Sequence, residues 1–315
     1  MRIVTTLAMV IAALLVAPAA QAEPHHDSVR YASVKGCENK DGAHVPCGHW
    51  RLVMHSGEQR LLRDAQVVAR QANGKSAVFL PAPVSVSGDG QKVAYFTKSG
   101  RLAVRSLHGD VTLLPSNTLP RVAQAEVALQ LSGDGARLAV ATGDDRYGTR
   151  VFDTAGGARL GVIPGPRSLA GFSGDGGELL MIEDSGEAVT LAVHADTGER
   201  LTRVTPPQTV SANPPPALSG DGRTVAVFIA GKSQIVLYDA ETDEVLKRVT
   251  VKLPAGELHL IDWIGEQQVT VHLTRQRAAE TRMTIAQIDT ETGDVTIRDR
   301  YTVLKDTFVF ATCGG

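Results

Sequence analysis

Aromatic residues make up only 4% of this 315-residue chain, and its 32 Lys and Arg do not outnumber its 34 Asp and Glu. A nucleic-acid partner calls for a basic face and for rings on which bases can stack, so the composition argues against one. Long apolar runs are also missing, apart from one at the N-terminus. Nothing else approaches the roughly 20 apolar residues of a membrane-spanning helix, and no membrane span is expected. No segment after residue 22 keeps a helical apolar period of useful length. That leaves strands and turns as the building material.

The N-terminal exception begins Met1-Arg2, runs apolar over 3–17 with only Thr5 and Thr6 interrupting, and reaches Ala20-Gln21-Ala22 before Glu23. A charged start, an apolar centre and a small-x-small site read as a signal peptide over 1–22, cleaved after Ala22. The protein is then secreted or otherwise extracytoplasmic. The start lacks a twin arginine and the cleavage point lacks a nearby cysteine, so neither folded export nor lipid attachment is suggested. Cysteine is sparse too: Cys37, Cys47 and Cys313. An odd count in an exported chain leaves one thiol over. Cys37 with Cys47 would close a short loop in an N-terminal extension over 23–47; Cys47 with Cys313 is the alternative pairing.

What the chain does have is a repeat. Segments 84–94, 129–139, 171–181 and 217–227 share Ser-Gly-Asp-Gly, two further residues and an apolar run. The first glycines of these cores, Gly88, Gly133, Gly174 and Gly220, lie 45, 41 and 46 residues apart, and a degenerate copy follows at Gly265. Asp-Gly between short apolar runs signals a hairpin, with glycine at positive φ and the aspartate bonding nearby backbone N–H groups. That structural role is the stronger reading for Asp89, Asp134, Asp175 and Asp221, because one aspartate per turn falls short of the oxygen ligands calcium wants. A second hairpin follows each core, turning at sequences such as Asp289-Thr290-Glu291-Thr292-Gly293.

Four antiparallel strands in each unit of about 44 residues describe a propeller blade. On its Ser-Gly-Asp-Gly and Asp-x-x-Thr-Gly turns the chain resembles the WD40-like and TolB-type β-propeller repeats of secreted bacterial proteins, over residues 48–315. No Trp-Asp dipeptide closes the blades, so the resemblance is to architecture and implies no activity. The expected fold is all-β: a β-propeller of six blades of four antiparallel strands, the last blade shared between the N- and C-termini. Residues 51–62 would supply its second hairpin and 301–312 its first.

Antiparallel connectivity puts the Ser-Gly-Asp-Gly and Asp-x-x-Thr-Gly turns on one face and the longer connections on the other. Long loops on a rigid scaffold are the usual seat of function. Candidate ligand-binding residues there are Arg121, Arg146, Tyr147, Arg167, Arg275 and Arg277. Acidic residues balance the basic ones across these loops. The innermost strands offer one titratable ring, His259, with Asp262 at the strand end. No Gly-x-Ser-x-Gly elbow and no His-Glu-x-x-His helix is present. The expectation is therefore an exported, monomeric, non-catalytic binding or interaction module without cofactor or metal, presenting the long-loop face to a protein, glycan or small ligand. The alternative is a lactonase-like hydrolase or lyase with a loop-built site.

Overall fold

The computed structural model describes residues 27–143, 146–165, 168–278 and 280–313. The leader, its cleavage point at Ala22 and the side chain of Arg167 lie outside the described residues.

The repeat turn is built by its own four residues. In each copy the serine hydroxyl donates to the aspartate Oδ1, at 2.5 Å for Ser87–Asp89 and 2.7 Å for Ser132–Asp134 and Ser173–Asp175; Ser219 and Asp221 do the same. That oxygen also accepts the backbone N–H two residues on, as from Gln91 at 2.9 Å and Ala136 at 2.9 Å. The second glycine holds φ between 66° and 78° in all four copies, at Gly90, Gly135, Gly176 and Gly222. Only glycine takes that region without a Cβ penalty. The first glycine is needed for a different reason. A Cβ on Gly88 would come within 2.9 Å of the Gly133 Cα, and Asp89 N–H donates 2.8 Å to the Gly133 carbonyl, so neighbouring turns interlock.

The chain forms six four-stranded antiparallel sheets, and these turns join the first two strands of four of them. Blade 1 uses β1 (Val29–Glu38), β2 (His44–Met54) and β3 (Gln59–Leu62). A two-stranded excursion follows, β4 (Val68–Arg70) and β5 (Ser76–Pro81). Blade 2 is β6 to β9 (Val84–Val86, Lys92–Phe96, Leu102–Ser106, Val111–Leu113), and blade 3 is β10 to β13 (Val127–Leu131, Arg137–Thr142, Thr149–Asp153, Arg159–Ile163). Blade 4 is β14 to β17 (Ser168–Phe172, Glu178–Asp184, Val189–Ala195, Arg200–Val204), and blade 5 is β18 to β21 (Pro216–Leu218, Thr224–Ile229, Gln234–Asp239, Glu244–Thr250). Blade 6 is β22 to β25 (Glu257–Ile264, Gln268–Arg277, Glu280–Asp289, Val295–Thr302). The last strand, β26 (Thr307–Thr312), returns to blade 1 as its innermost strand.

The closure differs from the expected sharing of two strands from each end. Three strands come from the N-terminal side and one from the C-terminal side, with Tyr31 opposite Thr312 and Ala32 opposite Ala311. Residues 29–47, expected as an extension, thus supply β1 and the start of β2. Tyr301, expected to open the closing hairpin, ends β25 of blade 6 and stacks on Tyr31 with ring centroids 5.1 Å apart. Cys37 and Cys47 are bridged. Cys313 is buried and free, so the alternative Cys47–Cys313 pairing is not made.

Blade faces are apolar because successive residues of a strand point to opposite sides, and in a ring both sides are covered. In β7, Val93 and Tyr95 enter the core against blade 1, while Ala94 and Phe96 enter the core against blade 3. Each further junction has its own cluster: Val151 with Leu179, Val193 with Val225, Phe228 with Val271, and Met283 with Tyr31. Six junctions for six blades close the ring.

Candidate functional site

The innermost strands β6, β10, β14, β22 and β26 surround an axial cavity of about 550 Å³. Gly88, Gly133, Gly174 and Gly265 at its rim set its opening on the face of the repeat turns. Its walls carry Asp89, Asp134, Asp175 and Asp262 against one guanidinium, Arg298, with the rings of Phe172 and Trp263. Asp89, Asp134 and Asp175 spend Oδ1 on their turns, while Oδ2 of each accepts no hydrogen bond among the described residues. Trp263 is 7% exposed, and its indole N–H has no partner among the described residues. This cavity lies on the face opposite the long loops, where a site was expected.

His259 also lines the cavity. It is the extra residue of a β-bulge between Leu258 and Leu260, which turns it out of the regular pairing. Its ring stacks on Phe310 at 5.7 Å, and burial lowers its pKa, so it is neutral near pH 7. On the adjacent strand His272 is fully buried, neither ring nitrogen is bonded among the described residues, and burial pushes its pKa down to about 3. Among the described residues neither ring is hydrogen-bonded to a carboxylate. Among the described residues no three His, Cys, Asp or Glu side chains stand close enough together to hold a metal ion.

The remaining candidates from the sequence are dispersed. Arg121 lines a cleft of about 260 Å³ beside blade 2, together with Arg70 and Arg101. Arg275 and Arg277 line another of about 360 Å³ on blade 6, with Arg282 and Arg300. Arg146 lies over the Tyr147 ring at 5.4 Å, and Arg150 approaches the same ring at 5.9 Å. The long-loop end of the channel is a third concavity, about 380 Å³, walled by Trp50, Leu80, Pro83, Val127 and Phe310 without a charged residue. Beside it β5 leaves Val78, Phe79 and Leu80 exposed.

Trp263 and Phe172 are not legible as site residues in the sequence, where a ring in a channel strand reads as core and only a titratable group signals chemistry. The available signal was the alignment of the repeat copies, in which Phe172 and Trp263 occupy the position held by Val86, Leu131 and Leu218 in the other three. Arg70 and Arg101 were missed because the β4–β5 excursion that frames them has no counterpart in the repeat.

Blade count and closure follow from the strand pairing, and the chain is a six-bladed β-propeller. No family model matches it, and no curated protein does. Among solved structures it is similar to TolB from Acinetobacter baumannii, at 15% identity over 89% of this chain and 65% of that one, with a TM-score of 0.45. A chain of a nidogen/laminin complex gives 12% identity, coverage of 89% and 97%, and a TM-score of 0.45. Hydrazine synthase from Kuenenia stuttgartiensis gives 18%, coverage of 69% and 66%, and 0.44.

Proposed function

We propose that this protein is an exported, non-catalytic propeller that binds a small cationic ligand in the mouth of its central channel, on the face of the repeat turns. The observation that carries the reading is the cavity itself: a concave site of ordinary ligand size, with two rings and four carboxylates against one guanidinium. Carboxylates gathered at a mouth with low-dielectric walls raise the local concentration of cations. An ammonium or guanidinium group over Trp263 or Phe172 would add a cation–π contact. The neutral, ring-stacked His259 and the sealed His272 favour binding over hydrolysis. Export is supported by the leader-like sequence over 1–22 and by the Cys37–Cys47 bridge, which persists in oxidising compartments.

Calorimetric titration with spermidine and with arginine tests this. Saturable binding that weakens with salt is expected, and Asp175→Asn, which keeps the turn acceptor, should weaken it about threefold or more. Absence of saturation with either cation, or an unchanged affinity in Asp175→Asn, would remove the proposal; turnover of a bound ester or lactone would replace it with the hydrolase reading.

A further inference from the structure

Basic and acidic residues balance across the long-loop face as a whole, but the cleft around Arg121 does not share that balance. Arg70, Arg101 and Arg121 line it, and no acidic residue does. Each comes from a different segment. Arg70 ends β4, Arg101 precedes β8, and Arg121 stands in the connection between blades 2 and 3. Arg70 donates 2.6 Å to the Lys98 carbonyl, and its guanidinium lies over Gly100, where a Cβ would come within 3.2 Å of Nη1. Arg101 donates 2.7 Å to the Leu114 carbonyl, and its Nε is buried without a partner among the described residues. Arg121 is exposed. None of the three meets a carboxylate among the described residues. The one acid of the preceding loop, Asp64, is already engaged by Tyr95 at 2.6 Å and Arg105 at 2.9 Å.

A buried amide completes the cleft. Gln124, 7% exposed, accepts at Oε1 from Arg70 N–H at 2.8 Å and from Gln66 Nε2 at 2.6 Å. Two donors on one atom fix it as the oxygen, so the Nε2 of Gln124 is a donor. It has no hydrogen-bond partner among the described residues, and Gln124 lines the cleft. The same pair of bonds ties the β4–β5 excursion to the interblade connection, so the site is held before any ligand arrives. Phe96, Leu102, Leu119 and Val122 form an apolar floor.

We infer that this cleft is a second binding site, for a small organic anion whose carboxylate or phosphate oxygens meet Arg70, Arg101, Arg121 and the Gln124 amide while its body rests on the apolar floor. Three guanidinium groups with no internal counter-charge among the described residues, next to the amide donor of Gln124, match oxygen anions in both charge and hydrogen-bonding sense. The site is independent of the channel mouth and of opposite ligand charge.

Titrating the purified protein with inorganic phosphate and with succinate, followed by NMR or calorimetry, tests it. Saturable binding of either probe supports the site, and the preferred probe names the head group. Arg121→Gln, in an exposed loop, and Arg70→Gln should each weaken binding about tenfold, and Lys247→Gln, a control cation on blade 5, should not. No saturation with either probe, or equal weakening in all three variants, would overturn the site. Spermidine affinity at the channel mouth should be the same in every one of these variants, which separates failure here from failure of the proposed function.

Discussion

The serine hydroxyl of each repeat turn both gives and receives: Ser132 donates to Asp134 and accepts the Arg137 N–H at 3.0 Å, and Ser87 treats Asp89 and the Lys92 N–H, at 2.9 Å, alike. That double use explains why serine is buried at the start of every intact core, and why an apolar replacement would leave a backbone N–H, such as that of Lys92 or Arg137, without its side-chain acceptor. The serine hydroxyl and the aspartate Oδ1 of these turns are thus satisfied locally. His272 is the contrasting case, a fully buried imidazole with neither nitrogen bonded among the described residues. Its folded pKa of about 3 lies below the ordinary 6.5, chiefly because burial disfavours the charged ring, with His259 and Arg298 adding repulsion. In the unfolded chain the ring takes up a proton near pH 6.5, and in the folded chain it does not. Its contribution to stability is therefore complete above pH 6.5 and is lost as pH falls toward 3, at up to about 1.4 kcal/mol per pH unit. Urea unfolding of wild type and His272→Leu across that window should show the slope in the wild type and a flatter curve in the variant. Parallel curves would assign the acid sensitivity to other groups.

The element most constrained by a covalent bond is the β1–β2 hairpin. Cys37 and Cys47 are 10 residues apart in sequence, and closing so short a loop restricts the unfolded chain by about 2–3 kcal/mol. Cys37→Ser should lower stability by about that amount in urea unfolding while leaving the far-UV spectrum unchanged; a loss below about 0.5 kcal/mol would contradict the loop-entropy account. The same hairpin marks where the sequence stopped being legible. Blades 2 to 5 were readable because each carries a Ser-Gly-Asp-Gly core whose chemistry requires a turn. The β1–β2 turn uses a different device, Asn39 Oδ1 accepting from Asp41 and Ala43 N–H at 2.9 Å each, and lies outside the period. The inner partner of β1 is β26, more than 270 positions away, and local pattern holds no trace of such a pairing. Tyr301 falls in the wrong strand on sequence pattern alone for a related reason: the strand change at 303–306 carries no glycine. The long-loop face was legible as a place for side chains, but the grouping of Arg121 with Arg70 and Arg101 depends on an excursion that only the folded chain brings alongside.

At the scale of the whole molecule, one strand from the C-terminal end and three from the N-terminal end leave no sheet edge of blade 1 waiting for its last partner, so ring closure and protection from edge pairing are the same event. The ring also gives the channel two chemically distinct ends. Carboxylates, Arg298, Phe172 and Trp263 gather at the mouth on the repeat-turn face, and uncharged residues around Trp50 and Leu80 wall the other end. Val84, Leu129 and Ala311 contribute to both concavities. The chain has two tryptophans, and one stands at each end. Trp50→Phe leaves an indole only at the charged mouth, and Trp263→Phe leaves one only at the apolar end. Fluorescence titration of both variants with spermidine therefore reads which end takes the ligand. A saturable, salt-sensitive change confined to the variant that keeps Trp263 is the expected result; a change confined to the variant that keeps Trp50, or none in either, would contradict a cation site at the repeat-turn mouth.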